Sequence, residues 1–419
     1  MVIPIAQADP PPAARRSTWS VWTSAAHRTL VLPGALQLVC AIALMAWEIG
    51  GRSLGLWASP PWVFPPAWTH AYLMLFALFP WFVFGFAMTA MPKWTHVEIR
   101  RGDWLACALP MIAGVLVFHA GLVTSRAMVL AGGALHLAGW CAGAVSIARI
   151  AFTSERRDPQ AMAISVLLFV GAVLGGMFLA GMWREDADLI ALAGGAAPWL
   201  FLLPVFLVVN HRMIPFFSSR VLAGYAVYQP AFSLPFLGAA CIAHITLDSA
   251  GLAGWTWLAD APMAAWVGWL AWKWGLTQSF RARLLAMLHI SLTVLAAALA
   301  LSALASLATL AGQAGLFGRG PLHLLGLGYF AAMTIAMVSR VSLGHSGRAL
   351  EADDWTWYGF LALIGVGLVR ALADFALIAG TPRAVLLGLA AVAWIVVTGS
   401  WAARFVPLYL RPRADGRPG

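Results

Sequence analysis

Long apolar runs follow one another from residue 30 almost to the end of the chain, separated by short segments that carry most of the charged residues. A bilayer core of about 30 Å is crossed by about 20 residues of helix. Measured against that length, the pattern predicts an all-α polytopic membrane protein with about twelve transmembrane helices. Their predicted bounds are roughly 30–50, 68–91, 104–124, 127–149, 160–181, 189–209, 229–249, 255–275, 284–312, 321–340, 357–379 and 383–405.

The basic residues divide unequally between the two sides of these helices. The chain has 26 Lys and Arg residues. Twenty of them lie on the side that holds both chain ends, five lie on the other side, and Arg370 lies within a span. Cytoplasmic loops carry such an excess. We therefore expect both termini in the cytoplasm, with a tail at 1–29, a membrane domain at 30–406 and a basic tail at 407–419. The five outer residues are Arg52, Arg126, Arg184, Arg319 and Arg383.

The composition agrees with a membrane protein and excludes several other classes. Of the 419 residues, 62% are hydrophobic and 10% are charged, whereas soluble domains contain about 25% charged residues. The net charge of +10 is spread over short loops, so we expect the lipid bilayer and not nucleic acid as a partner. The four cysteines form no C-x-x-C pair, and no dinucleotide-binding or P-loop motif occurs.

Histidines within the predicted spans are the main functional candidates, because ionisable residues in a bilayer mark functional sites. His70 begins the second span and His323 begins the tenth, and both spans run from the outer side inwards. Imidazole is a common axial ligand of haem iron. At this matched depth we predict that His70 and His323 hold a haem near the outer face. The alternative is that each ring caps a helix or binds a nearby carbonyl.

The other histidines carry weaker predictions. His119, His136 and His244 lie within spans, where such residues are more often structural than metal-ligating, although any of them could complete a copper site. His27 and His96 are interpreted as solvated loop residues.

Arg370 and Asp374 form the only oppositely charged pair that is predicted to lie deep in a span. Four residues apart on a helix, their side chains can meet. One interpretation is mutual neutralisation. The other is that Arg370 binds a haem propionate in the outer half of the membrane while Asp374 orients it.

Three segments of the chain resemble the NnrS family of bacterial membrane proteins. The first combines His70–Met74 with the block Gly85–Trp94 at the end of the same span. The second is His211–Phe217, which reads H-R-M-I-P-F-F. The third runs from His323 to the block Ser339–Arg348, which reads S-R-V-S-L-G-H-S-G-R. With the predicted helix count, the resemblance covers most of the chain.

The resemblance implies a haem-associated and copper-associated protein of the bacterial cytoplasmic membrane that is linked to denitrification and nitrosative stress. It implies haem b as the cofactor, copper as a second candidate, and nitric oxide or another diatomic molecule as the ligand. The histidines that match by position are His70, His289, His323 and His345, of which the first three are candidate metal ligands, and the arginines that match are Arg340 and Arg348. Where the family commonly has His and Glu in the second span, this chain has Tyr72 and Leu73, which weakens the case for copper.

The third segment also has a direct physical interpretation. Gly344 and Gly347 allow a sharp turn, and Arg340, His345 and Arg348 would then project at the cytoplasmic edge. Such donors can hold a propionate or a lipid phosphate, or they can tie the loop to the ends of helices.

Two functional classes follow. The first is a haem protein that handles nitric oxide, with redox activity as an open question and a quinol or a separate redox protein as electron donor. It is not a typical haem–copper oxidase, because span ten has His323 alone and span seven has His244 alone. A haem-delivery role without catalysis belongs to the same class. The second is a twelve-helix secondary transporter without haem, which should show internal repeats and broken helices.

Overall fold

The computed structural model describes residues 17–415. Parts of both predicted cytoplasmic tails, residues 1–16 and 416–419, lie outside the described residues. Within the described part, all regular structure is helical. The α-helices are α1 (Thr18–Trp22), α2 (Ala26–Glu48), α3 (Pro66–Leu75), α4 (Phe79–Thr95), α5 (Arg101–Gly121), α6 (Arg126–Phe152), α7 (Pro159–Arg184), α8 (Ala187–Ala197), α9 (Leu203–Val221), α10 (Ser233–Ser249), α11 (Trp257–Lys273), α12 (Leu276–Ser279), α13 (Arg283–Leu310), α14 (Gly320–His323), α15 (Ala332–His345), α16 (Asp354–Leu372) and α17 (Gly380–Leu410).

Ten helical segments in residues 17–415 are long and apolar enough to cross a membrane. The predicted class, an all-α polytopic membrane protein, is therefore confirmed. The count of twelve and the side on which the termini lie stay predictions. Helices α10 and α11 would complete the twelve, but each has 17 residues, slightly fewer than the roughly 20 that a bilayer core requires.

Several of the spans are interrupted. A short break at residues 76–78 separates α3 from α4, and π-helical turns join α8 to α9 at Pro198–Leu202 and α14 to α15 at Leu324–Ala331. Such π turns are rare and often lie at functional sites. The longer one, of eight residues, follows His323 directly.

Helix α16 packs against that longer π segment with almost no space between the backbones. A Cβ atom placed on Gly367 would lie 2.7 Å from the backbone nitrogen of Gly328. Membrane helices approach this closely only where small residues face each other. The contact fixes the end of α16, where Arg370 lies, relative to His323.

The first and last spanning helices lie side by side, with both described chain ends on one face of the bundle. Nη1 of Arg28 donates to the carbonyl oxygen of Arg411 at 2.8 Å, and Nη1 of Arg413 donates to that of His345 at 3.1 Å. We call this side the terminal face; it is the predicted cytoplasmic side. The other side, where the spans of His70 and His323 begin, is the opposite face.

Several predicted boundaries were wrong, by up to twelve residues at the end of the sixth span, which was predicted at 209 and lies at Val221. The first spanning helix begins at Ala26 instead of 30, and the last continues to Leu410, beyond the predicted 405. The predicted span 357–379 ends at Leu372. As a result Asp374 lies in the loop after α16, and the pair that it forms with Arg370 is at a helix end and not deep in a span.

Candidate functional site

A hydrogen bond between His323 and Asp374 organises the opposite face. Nδ1 of His323, at the end of α14, donates to Oδ2 of Asp374 at 2.5 Å. A carboxylate that binds one imidazole nitrogen fixes the ring and its tautomer, and it leaves Nε2 to act as a ligand.

Asp374 also pairs with Arg370, whose Nη1 lies 2.8 Å from Oδ1 of the carboxylate. Burial alone would raise the pKa of Asp374, but the hydrogen bond with His323 and the neighbouring charge of Arg370 outweigh it and lower the pKa to about 2. Asp374 is therefore a carboxylate at neutral pH. The structure thus gives Asp374 the role of orienting His323 as well as pairing with Arg370.

His70 completes this group of side chains. It lies on α3 and is half-buried, and its Nδ1 is buried without a hydrogen-bond partner. Its electrostatic neighbours are His323, Arg370 and Arg319. We call His70, His323, Arg370 and Asp374 the opposite-face cluster. The matched depth of the two histidines predicted that they lie on the same face, and the electrostatic effect of His323 on His70 agrees with this.

A large cavity occupies the terminal face. Its volume is about 960 Å³, and it lies between α2, α4, α9 and α15. Ligand pockets span roughly 300–1,000 Å³, so this terminal cavity is at the upper end of that range. Its basic lining residues are His27, Lys93, Arg212, Arg220, Arg340, His345 and Arg413.

Two histidines meet at the wall of the terminal cavity. The ring centroids of His27 and His345 lie 4.4 Å apart, with the rings tilted by 32°. His345 was a predicted site residue, whereas His27 was interpreted as a solvated loop residue. That interpretation was wrong: His27 is buried in the first turn of α2. The apolar run begins only at Leu30, after His27, Arg28 and Thr29, so hydropathy gave no signal that His27 belongs to the helix.

The relatives of the chain are identified by its match to a family profile. The profile described as NnrS protein matches residues 21–413. The chain belongs to the NnrS family. This confirms the resemblance drawn from the three sequence segments. No curated protein matches the chain.

Two predicted site residues of this NnrS-family chain join neither group. His289 is fully buried on α13, and its Nε2 lies 3.1 Å from Oγ of Ser218. It is six residues from Arg283, so it lies about 9 Å along the helix from the terminal-face end. Arg348 follows the turn at Gly347 and does not line the terminal cavity. Arg348 therefore lies outside the cavity that Arg340 and His345 line.

Sequence analysis missed a second histidine–aspartate pair in this family member. Nδ1 of His244 lies 2.7 Å from Oδ1 of the fully buried Asp260, and Oγ of Ser302 donates to the other carboxylate oxygen at 2.8 Å. The ring of Trp199, from the shorter π segment, stacks on His244 with centroids 3.5 Å apart. The acidic residue inside an apolar helix was the available signal.

The described residues offer few donors for a metal held by protein alone. Within residues 17–415, no three His, Cys, Asp or Glu side chains converge as metal ligands. The four cysteines are free, and Cys107 and Cys241 are buried. A metal centre in this NnrS-family chain would therefore draw on a pair of protein ligands.

Proposed function

We propose that this NnrS-family protein binds a haem b at the opposite-face cluster and acts in nitric oxide tolerance in the cytoplasmic membrane of a bacterium. The observation that carries the proposal is the hydrogen bond from His323 to Asp374, with His70 alongside. A histidine fixed by a carboxylate is a recurrent arrangement of metal ligands.

The donor set of the cluster fits haem. The porphyrin supplies four nitrogens, so the iron needs only one or two protein ligands, and His323 and His70 provide them. Nδ1 of His70 is a buried nitrogen without a partner, as expected of a side chain whose partner is a ligand. Copper is not part of the proposal, because no third donor joins the pair within residues 17–415.

Each side chain of the cluster has a role in this proposal. When bound, the haem would supply one-electron chemistry and, where one of the two histidines gives way, an iron position for a diatomic ligand. Asp374 holds the ring of His323 in one orientation. Arg370, with 22% of its side chain exposed, provides positive charge for a propionate, and Arg319 adds to it. Nitric oxide is small and uncharged, so it can reach the half-buried histidines from the membrane edge.

Absorption spectroscopy of the dithionite-reduced, purified protein tests the proposal. We expect a sharp b-type α band in the wild type and its loss in His70→Ala and in His323→Ala. His119→Ala is the matched control, because His119 is also half-buried but binds the carbonyl of Val115 in its own helix at 2.9 Å. A band that survives both cluster substitutions would place the haem elsewhere.

The competing function is a secondary transporter without haem. The interrupted spans favour it, because transporters build their binding sites from broken helices. A colourless, iron-free protein from cells supplied with haem would select the transporter. Nitric oxide added to a red protein should instead shift its spectrum.

A further inference from the structure

The terminal cavity is elongated and changes character along its length. On α4 its lining runs from Phe82 to Trp94, a separation of about 18 Å along the helix. On α15 it runs in parallel from Met333 to His345. Most side chains that line the deep part are apolar, with Thr334 and Asn210 as the polar exceptions, and the basic residues collect towards the terminal face. The cavity is therefore long, mostly apolar at one end and basic at the other, which matches a molecule with an apolar chain and a charged headgroup.

The charge of the lining has one sign. Five Lys and Arg side chains border the cavity, and its lining residues include no Asp or Glu. Two of the arginines have carboxylate partners nearby: Arg212 pairs with Asp158 at 2.7 Å, and Arg413 with Asp415 at 2.6 Å. The cavity is therefore suited to an anion.

Arg340 identifies where the anion binds. Only 8% of Arg340 is exposed, and among residues 17–415 it has no hydrogen bond and no carboxylate partner. Its guanidinium lies 4.3 Å from the ring centroid of Phe217, a contact that leaves the edge of the guanidinium free. Burying a charge without a partner is costly, so buried arginines are normally paired. A ligand anion would supply the missing partner.

We propose that the terminal cavity binds an anionic phospholipid from the surrounding bilayer. The phosphate binds Arg340, with Lys93 and the His27–His345 pair beside it, and an acyl chain follows the apolar wall towards Phe82. A free inorganic anion would fill only the basic end and leave the deep apolar part without an occupant. This site is distinct from the opposite-face cluster, so the inference does not depend on haem.

Native mass spectrometry of the full-length, delipidated protein tests the site. The probes are phosphatidylglycerol and phosphatidylcholine with identical acyl chains. Both lipids carry the phosphate, but the ammonium group of phosphatidylcholine would be repelled by the basic lining of the cavity, so we expect phosphatidylglycerol to bind first, with about tenfold higher affinity. Arg340→Gln should remove this preference. The matched control is Arg283→Gln, at the start of α13, where the side chain pairs with the exposed Asp354 and does not line the cavity.

Other outcomes would overturn the proposal. Equal binding of the two lipids, or a preference that survives Arg340→Gln, shows that the headgroup is not recognised at Arg340. Oleate that binds where phosphatidylglycerol does not identifies a free fatty acid, and inorganic phosphate that displaces phosphatidylglycerol completely identifies a simple anion site.

Two further measurements separate this site from the haem site and from misfolding. Arg340→Gln should keep the α band of the wild type; if it loses the band together with the lipid, the cavity is the cofactor site and the lipid proposal fails. Arg340→Lys retains the positive charge and should retain most of the preference for phosphatidylglycerol. This variant still tests the site when Arg340→Gln is too unstable to measure.

Discussion

Nδ1 of His323 and Oδ2 of Asp374 lie 2.5 Å apart, across the gap between α14 and the loop that follows α16. The same relationship recurs between His244 and Asp260 at 2.7 Å. In each pair the carboxylate comes from a different helix or loop than the histidine, so the ring position depends on how the helices pack.

Replacing Asp374 by Asn should weaken haem binding without unfolding the protein. The amide keeps the shape of the side chain but loses the charge that fixes His323. Carboxylate partners of metal ligands typically contribute about 10–100-fold in affinity. The measurement is the α-band absorbance per protein at limiting haem. Asp354→Asn, which alters an exposed carboxylate paired with Arg283, should leave the absorbance unchanged.

The stability of the protein should fall between about pH 4 and pH 2 because of Asp374. Its pKa of about 2 in the folded protein lies below the value of 3.8 for a free Asp side chain. The carboxylate therefore stabilises the fold fully above pH 4, and this contribution, about 2 kcal/mol, is lost as the pH falls towards 2. Thermal unfolding of the wild type at pH 5 and pH 2.5 should differ more than that of Asp374→Asn. Equal differences would contradict the assignment.

Asp260→Ala should destabilise the protein while leaving the haem band unchanged. The substitution leaves Nδ1 of His244 and Oγ of Ser302 without their partner in a buried site. An unsatisfied buried polar group costs about 1–3 kcal/mol. The melting temperature should fall in Asp260→Ala and in His244→Ala, and the double variant should lose less than the sum of the two. A loss of the α band would instead place His244 among the haem ligands.

Gly367→Ala should lower both the melting temperature and the haem content. The added methyl group would meet the backbone of Gly328, which cannot move without shifting the π segment next to His323. Overpacking of this kind costs about 1–3 kcal/mol. Gly359→Ala is the control on the same helix, because a Cβ atom there meets nothing within 4 Å. Unchanged haem content in Gly367→Ala would show that the cluster tolerates movement of α16.

The elements of the fold follow closely from hydropathy, whereas the ends of the helices do not. The run from Ala373 to Ala379 is apolar except for Asp374, so hydropathy extended the eleventh span through it. In the structure the helix ends at Leu372, and α17 begins only at Gly380. We attribute the end of the helix to Asp374, which binds His323 in another segment of the chain. A local hydropathy pattern contains no information about such a contact.

The histidines of the opposite-face cluster were easier to predict from the sequence than the His27–His345 pair at the terminal cavity. Matched depth along two spans predicted that His70 and His323 approach each other. The contact between His27 and His345 joins residues more than 300 positions apart and depends on how α2 and the end of α15 come together in the bundle. Arg348 follows the turn at Gly347, where φ is 71°, and it does not line the terminal cavity with Arg340.

Because Arg28 binds the end of α17, the first and last spanning helices are neighbours, and the helices form a nearly closed ring in chain order. A short peptide could join residue 415 to residue 17 across the terminal face, and the chain could then be opened in the loop at residues 222–232, which follows α9 on that same face. Such a circular permutant would keep every helix in its original direction across the membrane. The fold therefore depends on which helices are neighbours and depends less on where the chain starts, which matters for both evolution and engineering.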